Sequence, residues 1–305
     1  MPFTKLSGVE ELQTLLDSFD TWMFDCDGVI WHGDHLIPGV RQVLALLRSH
    51  NKHMIFVTNN ATKSRKSYKN KFDKLDVQAE VDEIFGSAYA SAVYLSSVVK
   101  LPKEKKVYVI GESGLEEELN NEGVAHIGGT SKEDNTFEPF DLHSFKPDPT
   151  VGAVLCGLDT KINYTKLAKA QQYLTLNPGC LFLATNEDPT FPVNGGYLPG
   201  AGSISAPLRY MLKRDPTAIG KPNSTMLDCV KAKHDFDPQR TIMVGDRLDT
   251  DILFGIRGGV STLLVLTGVT TESDITGPGA SPITPDFVTQ SLGDLVALIG
   301  EENRI

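Results

Sequence analysis

Cysteine is scarce in this chain, with four in 305 residues, at positions 26, 156, 180 and 229. They lack metal-ligand spacing, and a disulfide framework is not expected in a chain of this size without a secretory leader. Cys156 and Cys180 lie in apolar runs and read as buried hydrophobes. Cys26 stands between two carboxylates, which raise a thiol pKa and blunt its reactivity. The seven histidines are scattered, so neither a zinc cluster nor a nucleophile–base pair emerges from them. Positive charge is also in deficit: 29 Lys and Arg against 39 Asp and Glu leave a net charge of −10. That balance, with no basic stripe, argues against a nucleic-acid or anionic-membrane surface. Apolar runs fall short of the ~20 residues that span a bilayer. Met1–Lys5 has no charged segment before an apolar core, so the cytosol is the expected compartment.

What the chain does have is a series of apolar runs that stop abruptly at polar groups. Trp22-Met23-Phe24 ends at Asp25-Cys26-Asp27-Gly28. A buried parallel strand would deliver both acids at its carboxyl end, where open α/β folds bind ligands, on one face with Cys26 turned away. His53–Val57 ends at Thr58-Asn59-Asn60, and Thr241–Gly245 at Asp246. Helical apolar spacing over 8–19, 39–50 and 88–100 alternates with these runs, which predicts a Rossmann-like parallel sheet covered on both faces. A second strand–helix series starts at Lys106 and continues through 151–156, a helix near 163–175 and 180–185. The expected organisation is a core of 1–103 and 208–305 with an α/β domain, 104–207, inserted. The polar stretch 128–149 reads as a surface loop, 261–268 as a further core strand and Phe287-Val288 as a short edge strand.

Two motifs do not carry the chemistry they suggest. Gly111-Glu112-Ser113-Gly114 has its second glycine one residue early for a nucleophile elbow, and Ser113 with Glu116 reads as a capping box. Gly200-Ala201-Gly202 follows Tyr197-Leu198-Pro199, which is not a buried strand, so a dinucleotide loop is not expected.

The polar groups that end these runs, together with Lys221, suit phosphoryl transfer. A hard divalent cation such as Mg2+ takes a few carboxylates plus phosphate oxygens, which Asp25 and Asp246 would supply. Lys221 neutralises developing charge, while Thr58 and backbone N–H groups bind oxygens. A carboxylate nucleophile splits the reaction into two steps, and a second acid serves the leaving group and then water.

Asp-Cys-Asp-Gly at 25–28, Val-Thr-Asn-Asn at 57–60, Gly-Lys-Pro at 220–222 and Gly-Asp-Arg-Leu-Asp-Thr-Asp at 245–251 resemble, in order, the four motifs of the haloacid dehalogenase superfamily. The insert between the second and third motifs is similar to the type II cap. Asn186–Pro189, Pro199–Ser203 and Gly245–Leu253 resemble its phosphoglycolate, 4-nitrophenyl phosphate and pyridoxal phosphatase branch. The resemblance implies that Asp25 is the nucleophile and Asp27 the general acid/base, also ligating Mg2+ through its carbonyl. It implies that Thr58, Asn59, Asn60 and Lys221 bind the phosphoryl group. Asp246 then ligates the metal, and Asp251 holds the shell behind it and Lys221. It also implies a homodimer joined through the cap.

Specificity is expected from the insert, with 186–202 as the lid surface. In pyridoxal phosphatases the segment matching Asp188–Pro192 is expected to carry a polar residue against the pyridine, where this chain has Phe191. An apolar side chain there favours a small acid phosphate such as 2-phosphoglycolate, with Asp188 and Arg65 as further specificity candidates. Pyridoxal 5′-phosphate or a phosphoprotein remains the alternative substrate. A phospho-receiver is the alternative of another class, disfavoured because Asp27 is placed to discharge the phosphate.

Overall fold

The computed structural model describes residues 3–136, 138–193 and 195–298. Phe137 and Asn194, which fall in the expected loop 128–149 and lid 186–202, lie outside the described residues. The larger sheet has seven strands, all parallel, in the spatial order 4–5, 287–289, 261–265, 241–245, 21–24, 53–58, 84–86. The period-2 alternation sorts its side chains cleanly. Trp22, Phe24, Met54, Phe56, Ile242 and Val244 enter one core, and Met23, Ile55, Val57 and Met243 enter the other. Both faces are therefore covered, as a parallel sheet requires. Phe287–Thr289 is not the edge strand expected from the sequence. Thr4–Lys5 pairs outside it, a two-residue strand too short to show a period.

The insert is a second parallel sheet, ordered 217–218, 181–184, 151–156, 106–110, 126–128. Its extent corrects the expected return to the core at 208. Position 207 falls inside the helix Ala201–Leu212, whose Ile204 and Leu208 pack in the insert's own core, and Thr217–Ala218 adds the outermost strand. The other face of this sheet rests on the core: Val107, Val109, Leu115, Leu155 and Leu183 share a cluster with Ala61, Ala88, Ala92 and Leu95.

Polar contacts reinforce that seat beside the Thr58–Asn60 loop. Glu118, fully buried, accepts from the main-chain N–H of Arg65 at 2.6 Å and from its Nε at 3.2 Å. The guanidinium carbon lies 3.5 Å from the centroid of the Tyr89 ring. Gly114 lies so near that a Cβ there would meet the Lys63 backbone at 2.6 Å. The expected capping box does not form, because the Glu116 carboxylate accepts from the N–H and hydroxyl of Thr130 instead. Among the described residues no helix is long and apolar enough to cross a membrane.

Candidate active site

The strand Thr21–Phe24 ends one residue before Asp25, and from there the two acids differ in exposure. The Asp25 side chain is 14% exposed and its Oδ1 lies 2.6 Å from Lys221 Nζ. Asp27 is the more open of the two: its side chain is 61% exposed, its Oδ1 accepts from Trp31 Nε1 at 2.8 Å, and Lys71 Nζ lies 4.0 Å away. The chain turns next at Gly28, whose φ of 85° is the left-handed region that favours glycine, and a Cβ there would meet the Asp246 carboxylate at 2.8 Å. Trp31 is itself fixed at the end of an aromatic chain running from Trp22 through Phe24, Phe56 and Phe72.

Lys221 ends no strand of the core sheet. It follows Thr217–Ala218 of the insert and enters the core along the returning chain. All three of its ammonium donors are engaged, by Asp25 Oδ1, by Asp251 Oδ1 at 2.7 Å and by the Val57 carbonyl at 2.8 Å. Burial opposes its charge, but the two carboxylates outweigh burial and raise its pKa. Asp251 Oδ2 accepts from the main-chain N–H groups of Asp246 and Arg247 at 3.2 and 3.1 Å, so both its oxygens are occupied.

Asp246 completes the cluster. Its Oδ2 accepts from Val269 N at 2.7 Å, and a Cβ at Gly268 would sit 1.9 Å from that oxygen. Carboxylate oxygens of Asp25, Asp246 and Asp251 all lie within 4.8 Å of one another. Burial, with Asp251 as like charge, pushes Asp246 up to about 7. Asp25 is also raised, by burial first, with Asp251 and Asp246 adding to it and Lys221 opposing. Three buried carboxylates against one lysine leave two negative charges in excess. A divalent cation fits that deficit, with one oxygen each from Asp25 and Asp246 as ligands, while Asp251 is spent as their support.

The polar loop after the strand His53–Thr58 is tied to the insert. Asn59 Nδ2 donates to the Lys221 carbonyl at 2.9 Å and to Asp188 Oδ2 at 3.2 Å, and its buried Oδ1 has no partner among the described residues. Asn186, which the sequence reading assigned no separate role, donates through Nδ2 to the Asn59 carbonyl at 2.7 Å and accepts from Asp188 N. Gly200 and Gly202 allow this loop to close, since a Cβ at either would strike the carbonyl of Asp188 or Glu187 at 2.3–2.4 Å. Asn60 shapes the turn: its Oδ1 accepts from Thr62 N and Oγ1, and its N–H donates to Thr58 Oγ1.

The remaining candidates separate. Asp188 joins the site, and burial raises its pKa against the Asn59 hydrogen bond and the nearby Arg247 and Lys221 charges. Arg65 does not reach it; its side chain is 13% exposed and held by Glu118, Asp82 and Tyr89. That corrects its assignment as a specificity contact. Phe191 is half-buried in the hairpin 190–193/196–199, opposite Leu198. Cys26 is fully buried, and burial first, then Asp25 and Asp27, raises its thiol pKa.

A parallel core that collects a nucleophile-grade aspartate, a lysine and a metal-grade carboxylate pair at its strand ends, under an inserted domain, defines a class. The family model for haloacid dehalogenase-like hydrolases matches residues 22–125, and a HAD-hydrolase-like model matches 218–295. The chain belongs to the haloacid dehalogenase-like hydrolases. Among its relatives, the 4-nitrophenylphosphatase of Schizosaccharomyces pombe is 47% identical over 95% of this chain and 98% of that protein. Phosphoglycolate phosphatase 2 of Arabidopsis thaliana is 45% identical over 97% and 98%. Of solved structures, the 4-nitrophenylphosphatase of Thermotoga maritima superimposes with a TM-score of 0.77 at 29% identity, over 93% of this chain and 98% of that one. The glycerol phosphate phosphatase of Mycobacterium tuberculosis, in complex with calcium, gives a TM-score of 0.75 at 29% identity, over 92% and 76%.

Proposed function

We propose that this hydrolase is a Mg2+-dependent phosphomonoesterase that acts through an aspartyl-phosphate on small phosphorylated metabolites. 2-Phosphoglycolate leads, and 4-nitrophenyl phosphate serves as an artificial substrate. The observation that carries the reading is the 2.6 Å contact of Lys221 with Asp25 inside a cluster that Asp246 and Asp251 complete. Mg2+ held by Asp25, Asp246 and the Asp27 carbonyl supplies the positive charge that phosphoryl oxygens require.

Lys221 occupies Asp25 Oδ1, which leaves Oδ2 to attack phosphorus. The bond to the leaving oxygen breaks, and Asp27 gives that oxygen a proton. Asp27, now a carboxylate, takes a proton from the water that attacks the aspartyl-phosphate, which restores Asp25 and releases phosphate. Trp31 holds Asp27 at the mouth of the site without burying it. Thr58 offers its hydroxyl to the phosphoryl oxygens, while the Asn59 amide, with both N–H bonds on the Lys221 carbonyl and Asp188, orders the loop that carries it. Phe191 offers no hydrogen bond to a pyridine ring, which supports 2-phosphoglycolate over pyridoxal 5′-phosphate. A homodimer joined through the insert belongs to the same reading and rests on the family resemblance.

The test is phosphate release from 2-phosphoglycolate, pyridoxal 5′-phosphate and 4-nitrophenyl phosphate, with and without Mg2+. Asp25→Asn should lower turnover by about 10^4-fold or more, as loss of a covalent nucleophile does. Turnover that survives this substitution or excess chelator rejects the aspartyl-phosphate.

A further inference from the structure

We propose that Arg247 selects esters with a second negative charge, binding the carboxylate of a phosphorylated short hydroxy acid; this rests on the phosphomonoesterase reading above. Arg247 directly follows Asp246, and its main-chain N–H donates to Asp251 Oδ2 at 3.1 Å, which pins its Cα to the wall of the acidic cluster. Its side chain is 28% exposed. Nε and Nη2 donate to the Asp249 carboxylate at 3.2 and 3.0 Å, and Nη1 has no hydrogen-bond partner among the described residues.

The partner is a weak one. Asp249 is 68% exposed and two residues away on the same turn, so water screens its side of the pair and can take over its carboxylate. A substrate carboxylate can take the guanidinium fork from it at small cost, and a bidentate fork suits a carboxylate better than a point charge does. Other cations beside the cluster are committed. Lys221 spends its three donors on Asp25, Asp251 and Val57, and Lys71 lies 4.0 Å from the centroid of the Trp31 ring.

The insert's Asp188 accepts from Asn59 and lies within the electrostatic reach of Arg247, as do Asp246 and Asp251. Arg247, one residue after Asp246 and 28% exposed, thus borders the acidic cluster with Nη1 on offer to the part of an ester beyond its phosphate. A neutral tail gains nothing there, whereas a carboxylate does.

The experiment compares kcat/KM for 2-phosphoglycolate and for 2-hydroxyethyl phosphate, its analogue with the carboxylate replaced by an uncharged alcohol. Wild type should prefer the acid. Arg247→Met should reduce that preference about tenfold or more, chiefly through KM for the acid, which is the scale of one charge-assisted hydrogen bond. Arg247→Lys should retain part of it. Asp249→Asn, which removes the competing carboxylate, should increase it. Should Arg247→Met fail to fold, Asp249→Asn decides alone. An unchanged ratio in a folded Arg247→Met or in Asp249→Asn, or a wild-type preference for the alcohol, overturns the assignment of Arg247 while the phosphatase stands. Hydrolysis of neither ester by wild type with Mg2+ overturns both.

Discussion

Lys221 and Asp25 lie 196 residues apart in sequence and 2.6 Å apart in the fold. The lysine arrives on the chain returning from the insert, and the aspartate follows the core strand Thr21–Phe24. The site closes only when both domains have formed around it, and several consequences follow from the charges that meet there.

Asp246 is raised to about 7 in the metal-free protein, against an ordinary aspartate near 4, with burial as the main cause. Between those values the folded state holds a proton that the unfolded chain has released. Stability is therefore highest below about pH 4 for this group and is lost as pH rises through 7, by up to about 1.4 kcal/mol per unit. Urea melts of metal-free protein from pH 5 to 7.5 should show that fall against the other groups' background. Saturating Mg2+ should flatten it, because the cation replaces the proton.

Gly268→Ala places a methyl group where Asp246 Oδ2 now lies, 1.9 Å from the added carbon. The carboxylate must swing away from Val269 N. Mg2+ affinity, read by calorimetric titration, should weaken about 10–100-fold, the range for loss of a ligand's support. Unchanged affinity would show that Asp246 does not ligate.

Trp31→Phe keeps the ring against Phe72 and removes the N–H that holds Asp27. General acid–base catalysis contributes about 10^2–10^4-fold, and a loosened acid forfeits part of that. Turnover of an alkyl phosphate should fall about tenfold. Turnover of 4-nitrophenyl phosphate should fall less, since nitrophenolate leaves without a proton. Equal losses on both esters would place the role of Trp31 elsewhere.

Glu118→Ala leaves the Arg65 guanidinium half-buried without its carboxylate and frees the insert's first helix from the core loop. Breaking a buried pair by removing one partner costs about 3–5 kcal/mol, and Asp82 offers Arg65 only an exposed substitute. Equilibrium urea unfolding should show a loss near the lower end. A loss under about 1 kcal/mol would mean that apolar packing alone seats the insert.

Chemistry was legible wherever an apolar run of period 2 met a polar stop. Trp22-Met23-Phe24 announced Asp25, His53–Val57 announced Thr58 and Asn59, and Thr241–Gly245 announced Asp246, because a buried parallel strand presents polar side chains only at its ends. The inserted domain was legible for the same reason, in a second series of strands. Its end was not: Thr217–Ala218 is two residues long, and a strand that short has no pattern.

Partnership was decided by the tertiary structure. Arg65, Lys71 and Arg247 are three cations near the motifs with similar local sequence credentials. The fold gives the first to Glu118, the second to Trp31 and Asp27, and the third to the exposed Asp249. Residue order names the groups that carry charge at strand ends, since side-chain alternation and burial are local properties of the chain. Which charges meet depends on chain segments over a hundred residues apart, and their contact follows from packing two sheets together.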